Sequence, residues 1–120
     1  MNNTQTENSA ADGLSDLTAV VSQHFNQLTP AEAERLALLA EECGEVIQAI
    51  GKILRHGYES RHPDGGPTNR EMLERELGDV YAAMDMLSDA GDTDPFAISN
   101  AMFLKKGRVR QYLHHQGHNT

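Results

Sequence analysis

The sequence predicts an all-α fold, a four-helix bundle that oligomerisation completes. Apolar residues recur at the three- and four-residue spacing of amphipathic helices, and no segment alternates with period two for long enough to form a strand. Capping residues and turn residues divide the chain into four such helical segments. With 120 residues the chain has the size of one domain, and a bundle of this length has a modest core.

The first half of the chain contains a polar segment and two predicted helices. Residues 1–12 are rich in Asn, Thr and Ser and are expected to be disordered. A first helix is predicted over residues 14–27, where apolar residues share one side. A second helix is predicted to begin after Thr29, which can form a capping box with Glu32, and to run to Arg55.

The second half contains a loop and two further helices. Residues 58–67 hold two prolines and two glycines, which predict a loop. Thr68 and Glu71 repeat the capping-box pattern and open a third helix that is predicted to end near Ala90. A fourth helix is predicted over residues 95–113. The predicted organisation is a disordered segment, one helical domain and a frayed tail, over residues 1–12, 13–113 and 114–120.

Composition excludes several classes of function. The net charge of -8 argues against nucleic-acid binding, which needs a basic face. No apolar run approaches the roughly 20 residues that span a bilayer, so no membrane association is expected. The one cysteine, Cys43, and the polar N-terminus favour a cytoplasmic protein. An acidic protein can still act on phosphates if a cation bridges the two.

Two segments of the chain share one pattern. Residues 42–50 read ECGEVIQAI and residues 76–84 read ELGDVYAAM. Both fit Glu-x-Gly-acidic-Val-x-x-Ala-aliphatic, and they fall in consecutive predicted helices. Agreement at so many positions is unexpected by chance and directs attention to the acidic residues of the pattern.

The acidic residues of the pattern predict a metal site. On a helical wheel, Glu42 and Glu76 each lie at the centre of an apolar stripe, and Glu45 and Asp79 lie at the edges of the same stripes. If the stripes face each other, four carboxylates converge, and four anions in a half-buried site need compensation. Oxygen ligands select hard cations, so Mg²⁺ is expected, with Mn²⁺ as a substitute.

The same helices predict an oligomer. Gly44 and Gly78 lie in the middle of helices, where each costs roughly 1 kcal/mol relative to Ala. Close packing against another helix or a second subunit is expected there. The second predicted helix is also apolar nearly all round, which exceeds what one bundle face requires. Its apolar residues are Leu36, Leu39, Ala40, Val46, Ile47, Ile50 and Leu54.

Two other functions compete with a Mg²⁺ enzyme. A di-iron carboxylate bundle uses Glu-x-x-His pairs, which both acidic motifs lack. A non-enzymatic helical interaction module with an acidic stripe is the second alternative. It leaves unexplained why Glu42 and Glu76 lie at the centres of apolar stripes.

The motifs at residues 41–45, Glu-Glu-Cys-Gly-Glu, and 76–79, Glu-Leu-Gly-Asp, resemble those of the MazG-like all-α nucleotide pyrophosphohydrolases. This family includes the dimeric dUTPases and the dCTP pyrophosphatases, and the resemblance covers roughly residues 36–110. It implies the all-α NTP pyrophosphatase fold for the helical domain. It also implies hydrolysis of a nucleoside triphosphate to monophosphate and pyrophosphate, Mg²⁺ as cofactor, and a homodimer or homotetramer.

The resemblance also implies roles for individual residues. The metal ligands are expected to be Glu42, Glu45, Glu76 and Asp79. Glu41 matches the family's extra glutamate and, with Glu42 and Glu45, is expected to be catalytic, by holding a metal or positioning the attacking water. The substrate is expected to be a deoxynucleotide such as dGTP, dCTP or dUTP. From their positions on the helices and around the loop, and not from the resemblance, the candidate substrate-binding residues are Lys52, Arg55, Arg61, Asn69, Arg70, Lys106 and Arg110.

Overall fold

The structure, a computed structural model, describes residues 25–117. Within this range it contains three α-helices and a short 3-10 helix, and the described residues form no strand beyond one isolated bridge between Arg61 and Thr68. The all-α prediction is therefore confirmed. Most of the predicted first helix lies outside the described residues. Its predicted end is wrong, because Phe25 and Asn26 form a turn and Gln27 has a φ of 62°.

Helix α1 spans Pro30–His56 and begins at the predicted capping box. The Thr29 hydroxyl accepts a hydrogen bond from the backbone N–H of Glu32, and the Glu32 carboxylate accepts one from the backbone N–H of Thr29, both at 3.1 Å. These bonds satisfy donors that the first turn of a helix leaves free. At the other end, Gly57 adopts a φ of 83° and donates to the carbonyl of Ile53, which ends the helix one residue after the predicted position.

Helix α2 spans Asn69–Asp89. Thr68 is buried, and its hydroxyl accepts a hydrogen bond from the backbone N–H of Glu71 at 3.1 Å, which confirms its predicted capping role. The helix runs antiparallel to α1, since the Asn69 side chain donates to the carbonyl of Gly57 at 2.9 Å and the acidic motifs of the two helices meet further along. The two motifs therefore lie on facing sides of a helical hairpin.

The loop between α1 and α2 is fixed by its own hydrogen bonds. The backbone N–H groups of Asn69 and Arg70 donate to the carbonyls of Ser60 and Tyr58, both at 2.9 Å. The Arg70 guanidinium donates twice to Glu59, at 2.7 and 2.8 Å, and lies 4.4 Å from the centre of the Tyr58 ring. The predicted loop is thus confirmed, and it has a defined conformation.

Helix α3 spans Pro95–Val109, and Asp94 caps it by accepting from the backbone N–H of Phe96 at 2.9 Å. The predicted extension of this helix to residue 113 is wrong in its last turn. Arg110–Tyr112 tighten into the 3-10 helix, as helix ends often do. The chain divides into two compact units at the boundary between Ala83 and Met84. The first contains α1, the loop and most of α2, and α3 belongs to the second.

Large apolar side chains on α1 face solvent. Ile47 is 70% exposed and Leu54 is 81% exposed. A Cβ atom added at Gly44 or Gly78 would meet no atom within 4 Å, so these glycines do not pack against another described helix. Close packing of these glycines is thus not made within the described residues, and packing against another helix or a second subunit stays a prediction. Among the described residues, no helix is long and apolar enough to cross a membrane.

Candidate metal centre

Four carboxylates from α1 and α2 meet in the first compact unit. Glu42 and Glu45 come from α1, and Glu76 and Asp79 come from α2. Each offers one oxygen, and these four oxygens all lie within 4.8 Å of one another. We call this set the carboxylate cluster. The convergence follows from the helical spacing, because residues three apart share one face of each helix and the hairpin turns those faces together.

Two oxygens of the carboxylate cluster lack a partner. Oε2 of Glu42 and Oε2 of Glu76 are buried and accept no hydrogen bond from the described residues. Both side chains are half-buried, while Asp79 is exposed. A buried anionic oxygen without a donor is costly, so these atoms require either a proton or a cation.

The pKa values of the two half-buried glutamates, Glu42 and Glu76, are both raised. Burial raises the pKa of Glu42, and the nearby charges of Glu45 and Asp79 raise it further. The pKa of Glu76 is raised first by its hydrogen bond to Glu45, then by burial and by the charge of Glu45. These carboxylates therefore disfavour their charged forms as long as no cation is present.

The donor set fits a hard divalent cation. Carboxylate oxygens from two facing helices are the ligands that Mg²⁺ and Mn²⁺ prefer. A cation bound among them would be coordinated by the two buried oxygens. Its positive charge would offset the repulsion between carboxylates that helps to raise the pKa values of Glu42 and Glu76. The cluster can therefore hold a metal, and Glu42, Glu45, Glu76 and Asp79 are the residues that would bind it.

Glu41 lies outside the carboxylate cluster. It precedes Glu42 on α1, is exposed, and contributes a charge that raises the pKa of Glu42. Its predicted role in holding a metal or positioning water stays a prediction. Because Glu41 is exposed and lies next to a cluster member, its side chain is accessible to a ligand from solvent.

Two cavities that share lining residues lie in the first compact unit. The smaller, about 180 Å³, reaches the cluster itself, and we call it the cluster cavity; its lining is Glu45, Gln48, Ala49, Lys52, Asn69, Met72 and Glu76. The larger, about 580 Å³, lies against the loop, and we call it the loop cavity. Lys52, Asn69 and Met72 line both cavities. A ligand held at the cluster can therefore extend toward the loop.

The structure places five of the predicted substrate-binding residues in three different environments. Lys52 and Asn69 line both cavities, and Arg55 and Arg61 line the loop cavity. The Arg70 guanidinium instead binds Glu59 and stacks on Tyr58, so it holds the loop in place.

Lys106 of α3 and Arg110 of the 3-10 helix belong to the second compact unit. Their predicted contact with substrate stays a prediction. Sequence reasoning missed Gln48, His56, Ser60 and His62, which also line the cavities. The helical position of Gln48, between Glu45 and Lys52 on the same face, was the available signal for one of them.

Comparison with known families shows which family carries these motifs. Residues 31–112 match the family model of the MazG nucleotide pyrophosphohydrolase domain. The chain belongs to the MazG family. The match covers more than half of the chain and includes both acidic motifs and the loop between them. No curated protein and no solved structure matches the chain. MazG membership confirms the resemblance seen in the two motifs and supports nucleotide pyrophosphohydrolase activity in general.

Proposed function

We propose that this MazG-family protein is a Mg²⁺-dependent pyrophosphohydrolase that converts a deoxynucleoside triphosphate to the monophosphate and pyrophosphate. The observation that carries the proposal is the carboxylate cluster with its two buried, unpartnered oxygens. A surface that merely attracts a basic partner has no need to bury acidic oxygens at the centre of a helical interface. This geometry favours the enzyme over a non-enzymatic interaction module.

In the proposed mechanism the side chains of the protein hold the metal ion and orient the attacking water. When bound, Mg²⁺ or Mn²⁺ supplies positive charge against the phosphate oxygens and makes water more acidic. Glu42, Glu45, Glu76 and Asp79 would hold it through their carboxylate oxygens. Glu41, exposed on α1 just before Glu42, orients the attacking water. No side chain has to become a covalent nucleophile, because water attacks the anhydride between the α and β phosphorus atoms directly.

The remaining substrate contacts follow from the cavities. Lys52 and Asn69 contact the part of the nucleotide next to the cluster, and Arg55 and Arg61 contact the part that reaches the loop cavity. Arg70 acts through the loop that it fixes, and Lys106 and Arg110 are further candidates for substrate binding. We further propose that the enzyme is a cytoplasmic homodimer or homotetramer, with Ile47 and Leu54 of α1 covered by a second subunit.

A nucleotide panel tests this proposal. The purified protein is incubated with each canonical dNTP and NTP, in Mg²⁺ and in excess chelator, and pyrophosphate and inorganic phosphate are measured separately. We expect pyrophosphate release from at least one deoxynucleotide in Mg²⁺ and none in chelator. Absence of pyrophosphate release from every nucleotide, or equal release in chelator, would reject the proposed function.

A further inference from the structure

The loop cavity is basic in an otherwise acidic protein. The chain carries a net charge of -8, yet no residue that lines this cavity of about 580 Å³ has a carboxylate. Three lining side chains are permanent cations and two are histidines. The lining residues are Lys52, Arg55, His56, Ser60, Arg61, His62, Pro63, Gly65, Pro67, Asn69 and Met72. Such a concentration of positive charge selects an anionic ligand.

Arg61 is held in the wall of the cavity. Its guanidinium donates to the carbonyl of Gly66 at 3.0 Å, and its backbone pairs with Thr68. Gly65 and Gly66 have φ values of 94° and 109°, which let the loop turn back on Arg61. A guanidinium has five N–H groups, so one bond to Gly66 leaves others for a ligand. The side chain is therefore positioned before a ligand binds.

The backbone at the start of α2 does not serve as the anion site. The N–H groups of Asn69 and Arg70 bond to loop carbonyls, and those of Glu71 and Met72 bond to Thr68. All four donors of the first turn are therefore used within the chain. Recognition of an anion in the loop cavity falls to the side chains, chiefly Lys52, Arg55 and Arg61.

The position of Lys52 links the cavity to the carboxylate cluster. Lys52 follows Glu45 by seven residues on α1, which is two helical turns or roughly 10 Å along the axis. It lines both cavities. A nucleotide that meets the cluster at its α phosphate can therefore direct one of its two ends into the loop cavity, the β and γ phosphates or the nucleoside.

We infer that the loop cavity binds the β and γ phosphates, so that pyrophosphate leaves from the loop side and the nucleoside lies on the other side of the cluster. The inference rests on the proposed function. The β and γ phosphates carry most of the charge of a triphosphate, whereas the nucleoside carries none. Pro63, Pro67 and Met72 add apolar walls that strengthen attraction between phosphate and cation.

Product inhibition tests this orientation. Inhibition constants for pyrophosphate and for the nucleoside monophosphate are measured with Lys52→Gln and Arg61→Gln. Arg75→Gln is the charge-matched control, because Arg75 is exposed on α2 and lines neither cavity. Loss of a charge-assisted hydrogen bond should raise the pyrophosphate constant about tenfold or more, with the monophosphate constant little changed. Arg75→Gln should match the wild type.

The possible outcomes separate this inference from the proposed function. Lys52→Gln leaves the loop contacts intact, so its effect does not depend on loop folding, and thermal melting checks both variants. A raised monophosphate constant with an unchanged pyrophosphate constant would overturn the orientation, as would two unchanged constants. If the wild type hydrolyses no nucleotide, the proposed function fails. Calorimetric titration of the same proteins with pyrophosphate in Mg²⁺ then still tests the cavity, with weaker binding expected in both variants and unchanged binding contradicting it.

Discussion

The substitution Glu76→Gln is expected to lower turnover by at least about 100-fold while the helical fold is retained. Glu76 supplies one of the four clustered oxygens of α1 and α2, and its Oε2 is buried without a hydrogen-bond partner. Glutamine keeps the size of the side chain and removes the charge that would hold the cation. Pyrophosphate release at saturating nucleotide measures the loss, and circular dichroism checks that the helices remain.

A matched control separates the cluster from the rest of α2. Glu74 is exposed on the same helix and does not belong to the carboxylate cluster. Glu74→Gln should therefore keep wild-type turnover. Full activity in Glu76→Gln would remove the carboxylate cluster from the mechanism. Equal losses in the two variants would indicate that the substitutions act through the helix and not through a metal ligand.

The second large effect is a rise in melting temperature on addition of Mg²⁺. A ligand that binds only the folded state stabilises it by about 2.7 kcal/mol at 100 times its dissociation constant. For a domain of this size that corresponds to a shift on the order of 10 °C. The expected cause is neutralisation of the repulsion among Glu42, Glu45, Glu76 and Asp79. Differential scanning fluorimetry over a Mg²⁺ titration measures it.

The size of this Mg²⁺ effect should depend on pH in a defined direction. Glu42 and Glu76 have pKa values raised above the ordinary 4.5, so protonation favours the folded state. Their contribution to stability is present below the unfolded pKa and is lost as the pH rises through the raised values. In chelator the melting temperature should therefore fall as the pH rises from about 4.5 toward neutrality. The stabilisation by Mg²⁺ should grow over the same range, because the cation binds the deprotonated carboxylates.

The double variant Glu42→Gln/Glu76→Gln is the control for the dependence of the melting temperature on Mg²⁺ and on pH. It removes the two carboxyl groups whose pKa values are raised, so its melting temperature in chelator should depend less on pH than that of the wild type. It should also lose the response to Mg²⁺. A wild-type response to Mg²⁺ in this variant would place the cation elsewhere in the protein.

Local signals in the sequence predicted the elements and the cluster. Thr29 and Glu32 place the start of α1, and Thr68 places the start of α2, because a cap satisfies donors within three residues. The cluster was predictable because a carboxylate such as Glu76 at the centre of an apolar stripe has no structural explanation on a surface helix. Two consecutive helices with this feature leave few arrangements other than a convergent site.

Other features depend on contacts that no periodicity reveals. Arg61 and Arg70 look alike in the sequence, yet one lines the loop cavity and the other binds Glu59 and Tyr58. The choice is made by the folded conformation of the loop, which the prolines and glycines predict only as irregular. The sequence also did not reveal that a Cβ atom added at Gly44 would meet no described atom within 4 Å.

The bond that is broken provides the most direct test of the proposed enzyme. The nucleotide selected by the panel is hydrolysed in Mg²⁺ and oxygen-18 water, and the products are identified by phosphorus NMR and mass spectrometry. Cleavage between the α and β phosphorus atoms predicts a nucleoside monophosphate and pyrophosphate, one of which carries one heavy oxygen. Formation of a nucleoside diphosphate and inorganic phosphate would contradict the account.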